Sequence, residues 1–186
     1  KCGNMTSSDM DKWMTYQGID FLKDIGMKSG QVVLDFGCKH GTYAIPAAMV
    51  VGEHGTVYAV DKSKDVLDEL ANKAGEKELK NIERIAVKDQ IKLLLPNESV
   101  DMILLYDVLH LVESRERLLA ELYRVSKPLG ILSVYPKHHE KDMNMDLDEV
   151  KEEIETMGFR FEKKCFKTLM HDDHLEQGYI LNFRKS

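Results

Sequence analysis

The sequence predicts an α/β fold. The expected sheet has seven strands, mostly parallel, ends in a C-terminal antiparallel hairpin, and carries helices on both faces. Three observations predict it. Short apolar runs alternate with helix-length amphipathic segments over residues 31–158, the pattern of βαβ units. The runs "VVL", "MILL" and "ILSV" are almost continuously apolar, as strands buried on both faces are. The tail then breaks the rhythm: "FRFEKKCFKTLM" and "GYILNFRK" have no helix between them. Only the polar stretch "HDDHLEQ" joins them, so they should pair antiparallel.

Taken in order, residues 7–26 read as a helix. Met10, Trp13, Met14, Phe21, Leu22 and Ile25 fall near one face, and Gly26 is a stop. "QVVLDF" is the first strand. After a glycine-containing loop, "YAIPAAMVV" reads as a buried helix that tolerates Pro46 in its first turn. "TVYAVD" is the second strand. Residues 63–75 form an amphipathic helix with Val66, Leu67, Leu70 and Ala74 on one face, Ser63 as cap and Gly75 as end. "IERIAV" and "VDMILLYDV" are the third and fourth strands. Residues 114–126 form a helix burying Leu118, Leu119, Leu122 and Val125, broken by Pro128 and Gly130. "ILSVYP" is the fifth strand. Residues 146–158 form the last helix, with Asp146 and Glu149 at cap spacing and Gly158 as terminator.

The chain's 186 residues suit one domain with a sizeable core. It divides into an N-terminal helix and lid region (1–29), a core (30–137), and a last helix with the hairpin (138–186). The formal net charge of -6 supplies no global basic field, so nucleic acid is not the expected partner. Cys2, Cys38 and Cys165 are too few and too scattered for a disulfide framework or a zinc knuckle. With no apolar run long enough to span a membrane and no signal-like opening, a cytoplasmic location is expected.

The functional signal sits at the strand ends, where open α/β sheets bind ligands. The first strand ends in an acid, Asp35, and the loop "GCKHG" then opens a helix, whose N-terminus suits an anionic group. The second strand ends at Asp61, placed to accept hydrogen bonds from ribose hydroxyls. The third is followed by Asp89, placed to accept from an adenine amine. Each residue alone has a bland reading as a turn or a cap. Together they follow the order in which a nucleoside ligand would meet them.

This joint pattern resembles the class I S-adenosylmethionine-dependent methyltransferases, most closely their small UbiE-like or type 11 branch. "VLDFGCKHG" looks like the family's acid-x-Gly-x-Gly-x-Gly loop, "VYAVD" its second motif, and "NESVDMILLYDVLHLV" its fourth. The likeness runs closely over residues 30–137 and implies a Rossmann-like sheet, S-adenosylmethionine as cofactor and S-adenosylhomocysteine as product. It implies cofactor contacts at Asp35, Gly37, Cys38, Lys39 and Gly41 in the loop. It adds Asp61 and Lys62 after the second strand, Asp89 and Gln90 after the third, and Tyr106 after the fourth. Two residues depart from the family pattern. Lys39 replaces the middle glycine, and Leu129 replaces a glycine of the Lys-Pro-Gly-Gly turn. The Lys39 ammonium can meet the cofactor carboxylate or point to solvent.

Methyl transfer needs positioning more than a fixed catalytic group, and a base only where the acceptor must lose a proton. The candidates are Tyr106, Asp107, His110 and His138, with His139 beside the last. Tyr16 can act as a lid or simply pack. A metal site joining the His138 pair to "HDDH" is the lesser reading of those residues, and no metal is expected. The leading function is methyl transfer to a small-molecule acceptor. The rivals are a non-catalytic S-adenosylmethionine or S-adenosylhomocysteine binder and an NAD-dependent oxidoreductase. Loop spacing and the terminal hairpin disfavour the oxidoreductase.

Overall fold

The computed structural model describes residues 8–88, 91–136 and 145–186. Its seven strands form one sheet in the order β3-β2-β1-β4-β5-β7-β6. β1 (Val32–Phe36), β2 (Thr56–Asp61), β3 (Ile82–Ala86), β4 (Val100–Tyr106) and β5 (Ser126–Tyr135) run parallel. β7 (His174–Lys185) lies antiparallel between β5 and β6 (Phe159–His171). Strand order reverses between β1 and β4, which opens a crevice at their carboxyl ends.

Strand side chains alternate between the two faces, and two cores follow. Val33, Val57, Met102 and Leu104 pack under α2 (Gly18–Asp24), α3 (Ala44–Val51) and α4 (Lys64–Glu76). Their neighbours Leu34, Ile103 and Leu105 pack on the other face, under α5 (Arg115–Val125) and α6 (Leu147–Thr156). The helix caps form as expected at Ser63, which accepts from Val66 N–H, and at Asp146, which accepts from Asp148 and Glu149 N–H.

Four local expectations need correction. The first helix is not uniformly α-helical. α1 (Asp9–Lys12) passes into α2 through a π-helical stretch, Trp13–Gln17, where Gly18 N–H donates to Trp13 C=O five residues back. α4 runs through Gly75 to Glu76, and the left-handed residue beyond it is Glu78, φ 56°. β5 begins at Ser126 rather than Ile131. An irregularity absorbs Lys127–Gly130, since Val100 pairs with Ser126 while Met102 pairs with Ile131.

The hairpin is the largest revision. β6 and β7 extend through most of "HDDHLEQ", and a two-residue turn, Asp172–Asp173, joins them, with His171 paired to His174. Near this tip His171 and Glu176 turn inward to polar partners, Asp107 and Tyr135, beside the buried Leu169 and Met170. That breaks the apolar alternation by which a strand is recognised.

Candidate active site

The glycine loop leaves β1 and stays tied to β2. Gly37 N–H and Cys38 N–H both donate to Val60 C=O, at 2.8 and 2.9 Å. Lys39 N–H donates to Asp61 Oδ2 at 3.0 Å, and Ser63 N–H donates to Asp61 Oδ1 at 3.0 Å. Asp61 thus anchors the loop to the end of β2. Gly37 has φ 75°, and a Cβ there would come within 2.4 Å of Val108 Cγ2, so no side chain fits. Lys39 has φ 50°. The lysine therefore keeps the left-handed backbone that its glycine counterpart would adopt freely. Its ammonium faces Asp172 of the hairpin turn at 3.7 Å, so the tip lies on the same side as the loop.

Two clefts flank the loop. One, of about 810 Å³, is lined by Phe36, Val60, Asp61, Lys62, Val87, Ile91, Val108 and Leu111, among others. Its apolar walls with an acid at one edge suit a base and its ribose. The other, of about 390 Å³, is lined by Met10, Met14, Asp35, Cys38, Tyr43, Tyr106, Met170 and Asp172, among others. Gly37, Lys39 and Asp107 line both.

Asp35 is the electrostatic centre of the smaller cleft. Its side chain is buried, and Oδ2 has no hydrogen-bond partner among the described residues. Burial first, and then the nearby Asp61 charge, push its carboxyl up to about 7, against opposing help from Lys39 and an Ala44 backbone hydrogen bond. Cys38 is buried with its thiol against Lys39 C=O at 3.6 Å, and burial pushes that thiol well up, which suits packing rather than nucleophilic chemistry.

Tyr106 ends β4 with its hydroxyl paired to Ser133 Oγ at 2.7 Å, and burial pushes the phenol up. It enters the cleft as a neutral ring. Asp107 follows at φ 57° and is buried against His171 of β6. His110 lies in the single helical turn Leu109–Leu111 and lines neither cleft. Tyr16 is half exposed and lines neither cleft, whereas Trp13 is buried and its indole N–H donates to Thr42 C=O of the glycine loop at 2.8 Å. Asp89, Gln90, His138 and His139 lie outside the described residues. Among the described residues no cluster of three or more His, Cys, Asp and Glu side chains is arranged to hold a metal ion.

Sequence reading weighed His171 only as a metal ligand within "HDDH", and missed both its pairing with Asp107 and the part of Glu176. The two-residue turn was the available signal: "DD" between paired residues permits a tight hairpin, which would have turned His171 and Glu176 into strand positions.

The arrangement fits S-adenosylmethionine. The loop, with Gly37 and Gly41, separates a nucleoside-sized cleft from a cleft with an unpaired buried carboxyl oxygen, suited to an amino acid's ammonium. Comparison with known proteins agrees. Residues 27–183 match the family described as methyltransferase domain, and the chain belongs to that family. It is of the S-adenosylmethionine-dependent class.

More particularly, it is similar over 96% of its length to a SAM-dependent methyltransferase from Aquifex aeolicus. The TM-score is 0.80, the identity 25%, and 95% of that chain is covered. It is 31% identical over 111 residues to a demethylmenaquinone methyltransferase from Geobacillus sp. (strain WCH70), covering 60% of this chain and 47% of that protein. It is 30% identical over 95 residues to aklanonic acid methyltransferase from Streptomyces sp. (strain C5), covering 47% of this chain and 43% of that one. The chain spans about half the length of the curated relatives it matches.

Proposed function

We propose that this protein transfers a methyl group from S-adenosylmethionine to a small-molecule acceptor. The observation that carries the reading is the pair of clefts joined at Gly37, Lys39 and Asp107, with Asp61 in one and Asp35 in the other. When bound, the cofactor supplies an electrophilic methyl carbon on a sulfonium. Asp61 holds the ribose hydroxyls while still bracing the loop. Val87, Ile91, Val108 and Leu111 flank the base with Lys62 beside them, and the family resemblance assigns Asp89 and Gln90 to base recognition. The unpaired oxygen of Asp35 accepts from the cofactor's ammonium, and the Lys39 ammonium turns from Asp172 to the cofactor's carboxylate. Tyr106 and Tyr43 close the smaller cleft against water.

The acceptor enters between the glycine loop, the first helix and the hairpin tip, where Met10, Met14 and Met170 offer apolar contact. The names of the two curated relatives, which refer to small organic compounds, support a small molecule. The net charge of -6 supports a partner other than nucleic acid. Among the described residues no helix is long and apolar enough to cross a membrane, and we read the site of action as cytoplasmic.

The test is turnover. The protein, incubated with methyl-labelled S-adenosylmethionine and a fractionated pool of small metabolites, should yield a labelled acceptor and S-adenosylhomocysteine in equal amounts. Tight cofactor binding without label transfer to any fraction would favour a non-catalytic binder.

A further inference from the structure

The hairpin brings to the site a run of side chains that the cofactor reading leaves unused. Asp107 sits just beyond β4 in a left-handed backbone, φ 57°, with its N–H tied to Tyr135 C=O at 2.9 Å. Its side chain is only 9% exposed. Oδ2 meets His171 Nδ1 at 2.5 Å, while Oδ1 has no hydrogen-bond partner among the described residues. His171 Nδ1 also faces Glu176 Oε1 at 3.7 Å, and that oxygen accepts the Tyr135 hydroxyl at 2.6 Å. On its other side, His171 Nε2 faces Asp172 Oδ2 at 3.4 Å. The atom in hydrogen-bond contact with Nδ1 is a carboxylate oxygen, which accepts, so Nδ1 carries a hydrogen.

Left-handed backbone at a non-glycine residue and an unpaired buried carboxylate oxygen are each unfavourable, and they persist where the surroundings hold them. His171 does the holding here, with Glu176, itself held by the Tyr135 hydroxyl, facing the same ring nitrogen. Asp107 is one of the three residues that line both clefts. On the cofactor reading, the junction of the clefts is where the nucleoside and amino-acid halves meet, which is the reacting centre.

We propose that His171 is a positioning residue that holds Asp107 with Oδ1 aimed at the reacting centre, where Oδ1 accepts a hydrogen bond from the N–H or O–H of the methyl acceptor. The inference rests on the cofactor reading above. It makes the preferred acceptor one that can donate hydrogen. An acceptor arriving as an anion would meet like charge instead.

S-adenosylhomocysteine and sinefungin test this by binding alone. They share both cofactor halves, but sinefungin bears an amine on carbon where the cofactor bears its methyl on sulfur. It thus presents N–H donors at the reacting centre. Calorimetry on the full chain should show sinefungin binding about tenfold more tightly, the size of one charge-assisted hydrogen bond. Asp107→Asn and His171→Ala should lose most of that preference while still binding S-adenosylhomocysteine. His171→Gln, which keeps an N–H donor, should retain more of it than His171→Ala. Tyr135→Phe, which frees Glu176 from its hydroxyl, should lose part of it, and it carries the comparison if His171→Ala does not fold.

Equal wild-type affinity for the two analogues would overturn the proposal, as would a His171→Ala or Tyr135→Phe loss common to both. If neither analogue binds the wild type, the cofactor reading falls first and this inference with it.

Discussion

At the scale of one residue, Asp35 is a buried carboxyl whose burial costs the fold stability. Its carboxyl is pushed from 3.8 up to about 7 by burial. The folded state therefore holds a proton that the unfolded chain has already released between about pH 4 and 7. Stability falls as pH rises through that window, and the loss is complete above it. It is on the order of a few kcal/mol. Asp35→Asn keeps the shape without the charge. Urea unfolding should show the variant more stable than wild type at pH 8, with little difference at pH 4. A variant less stable than wild type at pH 8 would mean that the ionised carboxylate is satisfied in the fold.

At the scale of elements, the two departures from the family's glycine pattern share one conformation. Lys39 has φ 50° and Leu129 has φ 63°. The turns kept their left-handed backbone although the glycines are gone. Such a conformation costs an L-residue about 1–2 kcal/mol, and a glycine's extra freedom when unfolded takes back about 0.4–1 kcal/mol. Leu129 is 64% exposed, so removing its side chain loses little packing. Leu129→Gly should therefore stabilise the protein by up to about 1 kcal/mol and leave S-adenosylhomocysteine affinity unchanged. Lys39→Gly should gain similarly in urea unfolding but bind S-adenosylhomocysteine less well. A Lys39→Gly protein with undiminished affinity would show that its ammonium serves only Asp172.

The first helix shows the limit of pattern reading at this scale. The apolar spacing of Trp13, Phe21 and Leu22 located it, but the π-helical stretch depends on tertiary contacts. Trp13 bonds to Thr42 C=O, and Gly18 approaches Pro46 so closely that a Cβ would lie 2.9 Å from Cγ. Neither contact has a local signature. The strands and the acids at their ends were legible because burial on both faces and the loop that follows each strand are local properties of the chain. His171 and Glu176 were not, because their inward direction depends on a turn two residues long and on the Asp107 carboxylate across the sheet. The conformation of Lys39 was equally hidden, since sequence does not report φ.

At the scale of the molecule, one sheet carries three strand ends to one crevice, and the hairpin returns over it from the far edge. Asp35 and Asp61 come from neighbouring strands, β1 and β2, and Asp107 follows β4 on the other side of β1. His171 and Asp172 arrive through β6, which pairs only through β7 with the rest of the sheet. On the proposed reading this crevice holds S-adenosylmethionine with its ribose on Asp61. Calorimetric titration of S-adenosylhomocysteine into wild type and Asp61→Ala tests it most directly. One ligand should bind per chain, with an affinity at least about tenfold lower in Asp61→Ala, the loss of charged hydrogen bonds to the ribose. No binding to the wild type, or equal affinity for the two proteins, would contradict it.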